Sequence, residues 1–290
     1  MAALDIPSSP GRGIRPLRFT PYVVLALASV PIFVLYAWLV YSSFFPSVHG
    51  FTPVGAFTID NWRFLWDPAS FPQMRNRPPI IPLTINTFLF AAATALIVLL
   101  VSSMAGYAFS RLRFPGRRPF LASVLLLHSF PSVTLLIALF VVLRSLGLYD
   151  RLVGVILVKA AFELPFGIWI MKGFFDTIPW DLEMSALVDG AGRLRTWWRV
   201  MLPLVKPGLL ALGLLSFVQG WNEFLLPFVF MPSGSQQTLS TLVRGLLGEG
   251  RFVDYGLLTA VGLFYVAPVL LIFILAQKQL MHIYAGGVKG

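Results

Sequence analysis

Three ionisable residues lie inside long apolar runs of this sequence: Lys159, Glu163 and Glu223. Such groups are costly in hydrocarbon, face the interior of a helix bundle and often mark a substrate or ion path. Lys159 and Glu163 are four positions apart, so a helix puts them on one face, where they can neutralise each other. The plainer reading is an internal pair; the functional reading is the lining of a transport path. Glu223 lies in SFVQGWNEFLLP with Gln219, Trp221 and Asn222. On a helix, Gln219, Asn222 and Glu223 would share one polar stripe. Amides, a carboxylate and an indole offer hydrogen bonds and a stacking face, which suit a hydroxyl-rich ligand. Hydrogen bonding between helices is the plainer role for the same residues.

The composition says what kind of elements must hold these groups. Of the 290 residues, 57% are hydrophobic and 12% charged, and the mean hydropathy is +0.81. Soluble domains carry about 25% charged residues, so a surface this poor in charge belongs in lipid. The net charge is +10. The basic residues fall in short runs between apolar segments and form no single basic face, which argues against nucleic acid. The absence of cysteine excludes disulfides and thiolate-held metals. His49, His128 and His282 are far apart; His128 is a candidate ligand or proton relay, or a packing residue. The polar start, MAALDIPSSPGRGIRPLR, precedes a run that reads as a first membrane helix and not as a signal peptide.

A helix needs about 20 apolar residues to cross the hydrocarbon. Six segments qualify: 21–45, 84–108, 119–143, 152–175, 208–232 and 256–280. The expected fold is therefore an all-α membrane protein of six spans. Small residues such as Ser102-Ser103 and Ala105-Gly106 permit close helix approach. Pro131, Pro165, Pro227 and Pro268 fall inside spans, where a missing donor is tolerated only beside protein or a water-lined cavity. If the N-terminus is cytoplasmic, 14 Lys and Arg residues lie inside and seven outside, with Lys159 in a span. That asymmetry puts both termini in the cytoplasm. No internal repeat is evident, so the inverted-repeat carriers find no support. The organisation is an N-tail over 1–20, the first span, an external loop over 46–83, a core of five spans over 84–280 and a C-tail over 281–290. The external loop is expected to form a small cap or short interfacial helices.

The cytoplasmic connection 176–207 contains EMSALVDGAGRLRTWWRVMLP from Glu183 to Pro203. Pro179 suits the first turn of a short helix ending at Val188, and Gly190 suits the left-handed residue that closes it. A second short helix, Arg193 to Met201, is expected to stop at Leu202-Pro203. The product is a rigid helix–Gly–helix elbow with apolar and cationic faces. It holds no nucleophile–base set and no metal cluster, and the chain has no G-x-x-x-x-G-K-[ST] loop with which to cradle ATP.

From Met184 onward the spacing resembles the E-A-A-x3-G-x9-I-x-L-P signature of permease subunits of binding-protein-dependent ABC importers. Ser185 and Ala186 fall on the two alanines, Gly190 on the glycine, Val200 on the isoleucine and Leu202-Pro203 on the final pair. Met184 occupies the glutamate position, and Glu183 precedes it. Other stretches resemble the carbohydrate branch, specifically the second permease of the maltose type. These are INTFLFAAATALIVLLVSSMAGYAFSRLRFPGRR, ELPFGIWIMKGFF, IPWDLE, WNEFLLP and the terminal GGVKG.

The resemblance implies that the elbow is a coupling helix docking on an ATP-binding subunit, through Glu183, Met184, Ser185, Ala186, Asp189, Gly190, Ala191, Leu202 and Pro203. It implies a homologous second permease, two ATP-binding subunits that hold ATP and Mg, and an extracytoplasmic sugar-binding protein facing loop 233–255. This chain would itself be non-catalytic. Its translocation-path candidates are Gln219, Trp221, Asn222, Glu223, Lys159 and Glu163. In the maltose type most substrate contacts belong to the other permease. The alternatives are a proton-coupled secondary carrier using Glu223 or Lys159 with Glu163, and a non-transporting membrane scaffold. An intramembrane enzyme is disfavoured, because no paired catalytic carboxylates or metal set is evident.

Overall fold

Apolar runs in lipid must close their own backbone hydrogen bonds, which a helix does within one segment. In the computed structural model, which describes residues 20–75, 77–234, 236–248 and 253–286, helices accordingly dominate. Helix α1 spans Thr20–Ser42. An antiparallel hairpin follows, with β1 (Ser47–His49) paired to β2 (Thr52–Val54) in the register Ser47↔Val54. Two 3-10 turns, Asp60–Leu65 and Pro68–Ser70, complete the loop. The buried Asn61 side chain ties the first of these turns to the end of α1, donating to the carbonyls of Ser43 (2.9 Å) and Phe45 (2.7 Å).

The core is built from α2 (Ile80–Arg111), α3 (Arg117–His128), α4 (Leu136–Ser145), α5 (Leu152–Asp176), α6 (Trp180–Val188), α7 (Arg193–Thr196) and α8 (Leu202–Leu204). It continues with α9 (Lys206–Trp221), α10 (Leu225–Phe230), α11 (Leu239–Gly248) and α12 (Tyr255–Gly286). Four described helices are long and apolar enough to cross a membrane: Tyr22–Ser42, Ile80–Arg111, Leu152–Asp176 and Tyr255–Leu275. The N-tail and the terminal GGVKG lie, except for Thr20 and Gly286, outside the described residues. So does part of loop 233–255.

The helices expected over 119–143 and 208–232 are not continuous. α3 stops at His128, and the chain resumes through a 3-10 turn, Ser132–Leu135, into α4. Pro131 supplies no N–H and disfavours helical backbone at Phe130. α9 stops at Trp221 and α10 begins at Leu225. At this second break the Glu223 carboxylate accepts the Leu226 N–H at 3.2 Å, so a side chain satisfies a donor that the interrupted helix leaves free. Pro165 and Pro268, by contrast, lie within unbroken α5 and α12.

α2 is the central post, packed most extensively against α5 and α9. Small residues set these approaches. A Cβ on Gly106 would stand 2.8 Å from the Lys172 nitrogen and the Met171 Cβ of α5, and one on Gly220 of α9 would stand 2.9 Å from the Ala91 Cα of α2. Side chains there would force the backbones apart. Around this frame, one apolar cluster gathers at the Ile80 end of α2 and includes Phe64, Leu83, Trp221 and Leu257. Another gathers at the Arg111 end and includes Tyr107, Met171, Phe175, Trp197 and Met201. The apolar side chains of α1 are mostly exposed, as a lipid-facing helix requires.

Candidate functional site

The elbow connecting α5 to α9 is fixed from inside by one carboxylate. Asp181 and Glu183 lie in the first turn of α6, where negative charge opposes the helix dipole favourably. Glu183 is fully buried and turns toward α2. Its Oε1 accepts from the Tyr107 hydroxyl at 2.6 Å, and its Oε2 is 3.2 Å from Arg111 Nε. Arg111 also donates to the carbonyls of Phe175 (2.8 Å) and Ile178 (2.6 Å), and its guanidinium lies 5.1 Å over the Trp180 ring. One side chain thus joins the ends of α2 and α5 to the start of α6.

The other end of α6 closes on itself. Gly190 has φ +85°, the left-handed conformation in which side chains are strained. Its N–H donates to Leu187 O at 3.1 Å, and the Ala191 N–H donates to Ala186 O at 3.0 Å. These two crossed bonds are the Schellman pattern. They give a local reason for the Ala186-x3-Gly190 spacing: the alanine carbonyl and the glycine conformation belong to one cap.

The second limb differs from the expected helix ending at Met201. α7 passes through a π-helical turn, Trp197–Met201, into α8, and the break falls at Val205. Pro203 therefore does not stop the helix. It sits in the first turn of the new segment, where its missing N–H is tolerated. The limb Arg193–Leu204 then meets α9 at a bend of 81°. The buried side of the elbow carries Glu183, Thr196, Trp197 and Met201. Met184, Ser185, Asp189, Gly190 and Pro203 are exposed, whereas Ala186, Ala191 and Leu202 are half-buried. Large apolar side chains also stand outward, with Val188 85% and Leu194 67% exposed.

The mid-helix charges form a second cluster. Lys159 of α5 reaches Glu223 at 2.7 Å, across to the α9–α10 break, and is 3.5 Å from Glu163. The expected Lys159–Glu163 pair is thus the looser half of a three-residue set. The single stripe expected from Gln219, Asn222 and Glu223 does not form, because α9 ends before the last two. Glu223 turns to α5, and Asn222 accepts from the Tyr265 hydroxyl of α12 at 3.0 Å. Gln219 instead lines a cleft with His128, Glu163 and Ser216. Trp221 is no open stacking face. It is 1% exposed, sandwiched between Phe217 and Tyr265, and donates to Tyr265 O at 3.0 Å. Sequence reasoning missed Tyr107, Arg111 and Tyr265. Arg111 ends an apolar helix, a position equally natural for an exposed orientation charge.

A family model described as "Binding-protein-dependent transport system inner membrane component" matches residues 98–281. The chain belongs to this family. The match begins within α2, covers the elbow and both helix breaks, and ends within α12. Among curated relatives, the chain is 33% identical over 208 residues to the trehalose transport system permease protein SugB of Mycobacterium tuberculosis, covering 71% of this chain and 76% of that protein. It is 27% identical over 237 residues to the maltodextrin transport system permease protein MdxG of Bacillus subtilis, covering 81% and 82%. A crystal structure of a bacterial ABC transporter involved in import of the acidic polysaccharide alginate has a chain with the same fold. The TM-score is 0.72 at 20% identity, over 92% of this chain and 99% of that one. The chain is thus an inner-membrane component of a binding-protein-dependent transport system.

Proposed function

We propose that this chain is the permease subunit of an ATP-driven sugar importer, forming half of a translocation path. The observation that carries this reading is the elbow: a knob anchored from inside by Glu183 and presenting Val188, Leu194 and Trp198 outward. An apolar surface beside exposed Arg193, Arg195 and Arg199 suits a protein partner better than water. That partner is an ATP-binding subunit, one of two, which hold ATP and Mg. A homologous second permease completes the path, and an extracytoplasmic sugar-binding protein delivers substrate at the Ile80 end of α2. The chain has six spans, counting the interrupted α3–α4 and α9–α10 as one each, with both termini cytoplasmic. It performs no chemistry itself. Relatives named for trehalose, maltodextrin and diacetylchitobiose transport support a saccharide as cargo.

Affinity purification in detergent tests the reading. A second permease and a protein carrying G-x-x-x-x-G-K-[ST] are expected to co-purify, with ATPase activity stimulated by a saccharide-loaded binding protein. A chain that purifies alone and moves solute under a proton gradient would establish the secondary-carrier alternative.

A further inference from the structure

Between α3, α5 and α9 lies a cleft of about 120 Å³ lined by His128, Glu163, Phe166, Ser216, Gln219 and two leucines. Glu163 sits midway along α5, is 6% exposed, and has the Ser216 hydroxyl beside it. Neither of its carboxyl oxygens has a well-formed hydrogen bond among the described residues. Its Oε1 is 3.5 Å from Lys159 Nζ, so the carboxylate keeps lone pairs for a further donor from the cleft it borders. His128 Nδ1 lies 3.0 Å from the Phe162 carbonyl and so donates to it. In the neutral ring that leaves Nε2 as an acceptor. The Gln219 amide both donates and accepts. The His128 ring stacks on Phe166, which stacks in turn on Trp169. Acceptors beside aromatic faces match a ligand with outward hydroxyl protons and an apolar ring face.

The same cleft gives an anion no counter-charge. The neighbouring cation, Lys159, is already engaged with Glu223 at 2.7 Å, and the lining residues include no Lys or Arg. An acidic ligand would lie against Glu163 with its charge unpaired.

Resting on the importer reading above, we propose that this cleft is a saccharide subsite on this chain's half of the path. It admits the hydroxymethyl group or ring edge of a neutral sugar and disfavours acidic ones. Glu163 and His128 accept hydroxyl protons, Gln219 orients the hydroxyls, and Phe166 covers the apolar edge.

The test uses the whole complex with its binding protein in proteoliposomes. Labelled trehalose, maltose and diacetylchitobiose serve as neutral probes, with glucuronate and glycerol 3-phosphate as acidic ones. Wild type is expected to import at least one neutral probe in preference to both acidic ones. Glu163→Gln is expected to lower uptake of that sugar roughly tenfold at subsaturating concentration, the effect of one lost charge-assisted hydrogen bond. Gln219→Leu is expected to lower it by a smaller factor. If Glu163→Gln fails to assemble, the exposed Gln219 decides the matter. Unchanged uptake in the assembled variants would overturn the subsite and leave the importer reading standing. Preferred import of an acidic probe would overturn the neutral class. A wild-type complex that imports no saccharide would overturn the importer reading, and the subsite with it.

Discussion

Two buried charge clusters share the α2–α5–α9 frame, and they are completed to different degrees. At the Arg111 end, Glu183 meets a phenol and a guanidinium, and the guanidinium meets two carbonyls and an indole face. At mid-helix, Lys159 holds Glu223 closely and Glu163 loosely, and Glu163 keeps unbonded oxygens. The first arrangement ties α2, α5 and α6 together by short contacts, with Arg111 Nε and Glu183 Oε2 meeting as an ion pair. The second keeps capacity for another donor. Burial alone therefore does not separate the two clusters; what separates them is the cleft that Glu163 borders and Glu183 does not.

Removing one partner from each cluster should expose that difference. Glu183→Ala leaves the Arg111 charge buried, which typically costs about 3–5 kcal/mol. A large fall in the denaturation midpoint of the chain in detergent is expected; a change within error would mean that the anchor contributes little. Gly190→Ala keeps the anchor but puts a Cβ at φ +85°, where an L-residue costs roughly 1–2 kcal/mol. The same unfolding measurement should show a loss of that smaller size.

At mid-helix, Glu223→Gln should cost only about 1 kcal/mol. Interhelical polar contacts in bilayers average roughly 0.6 kcal/mol, and Lys159 retains Glu163 at 3.5 Å. Glu163→Gln should shift stability least, by about 0.5 kcal/mol or less, because the side chain it replaces makes no well-formed hydrogen bond. A loss as large as that of Glu183→Ala would put both clusters in the same structural class.

Hydropathy made the long helices legible, because a continuous apolar run has one solution in lipid. The helix breaks were half legible. Pro131 was visible as a disturbance, yet Pro165 and Pro268 looked alike in sequence and interrupt nothing. Proline alone does not say whether a helix will break there or absorb it. Gly190 could be read because its conformation follows from local chemistry. The partners of Glu183 could not, since Tyr107 and Arg111 stand 76 and 72 positions earlier and only the packing of α5 on α2 brings them near. The polar stripe at Gln219, Asn222 and Glu223 failed because helical periodicity was extended past the end of α9.

Thr87 carries a consequence for the order of assembly. Its hydroxyl donates to Leu83 O at 2.7 Å and accepts the Leu239 N–H at 2.8 Å, 152 positions later in the chain, while Asn86 donates to Gln237 O. At roughly 5–20 residues per second of synthesis, about 8–30 s separate the appearance of α2 from that of α11. Through that interval the Thr87 hydroxyl proton is already held by its own helix, so α2 can wait in the bilayer without an unmet donor there. The segment made just before α12 is then received by a lone pair that has been available since near the start.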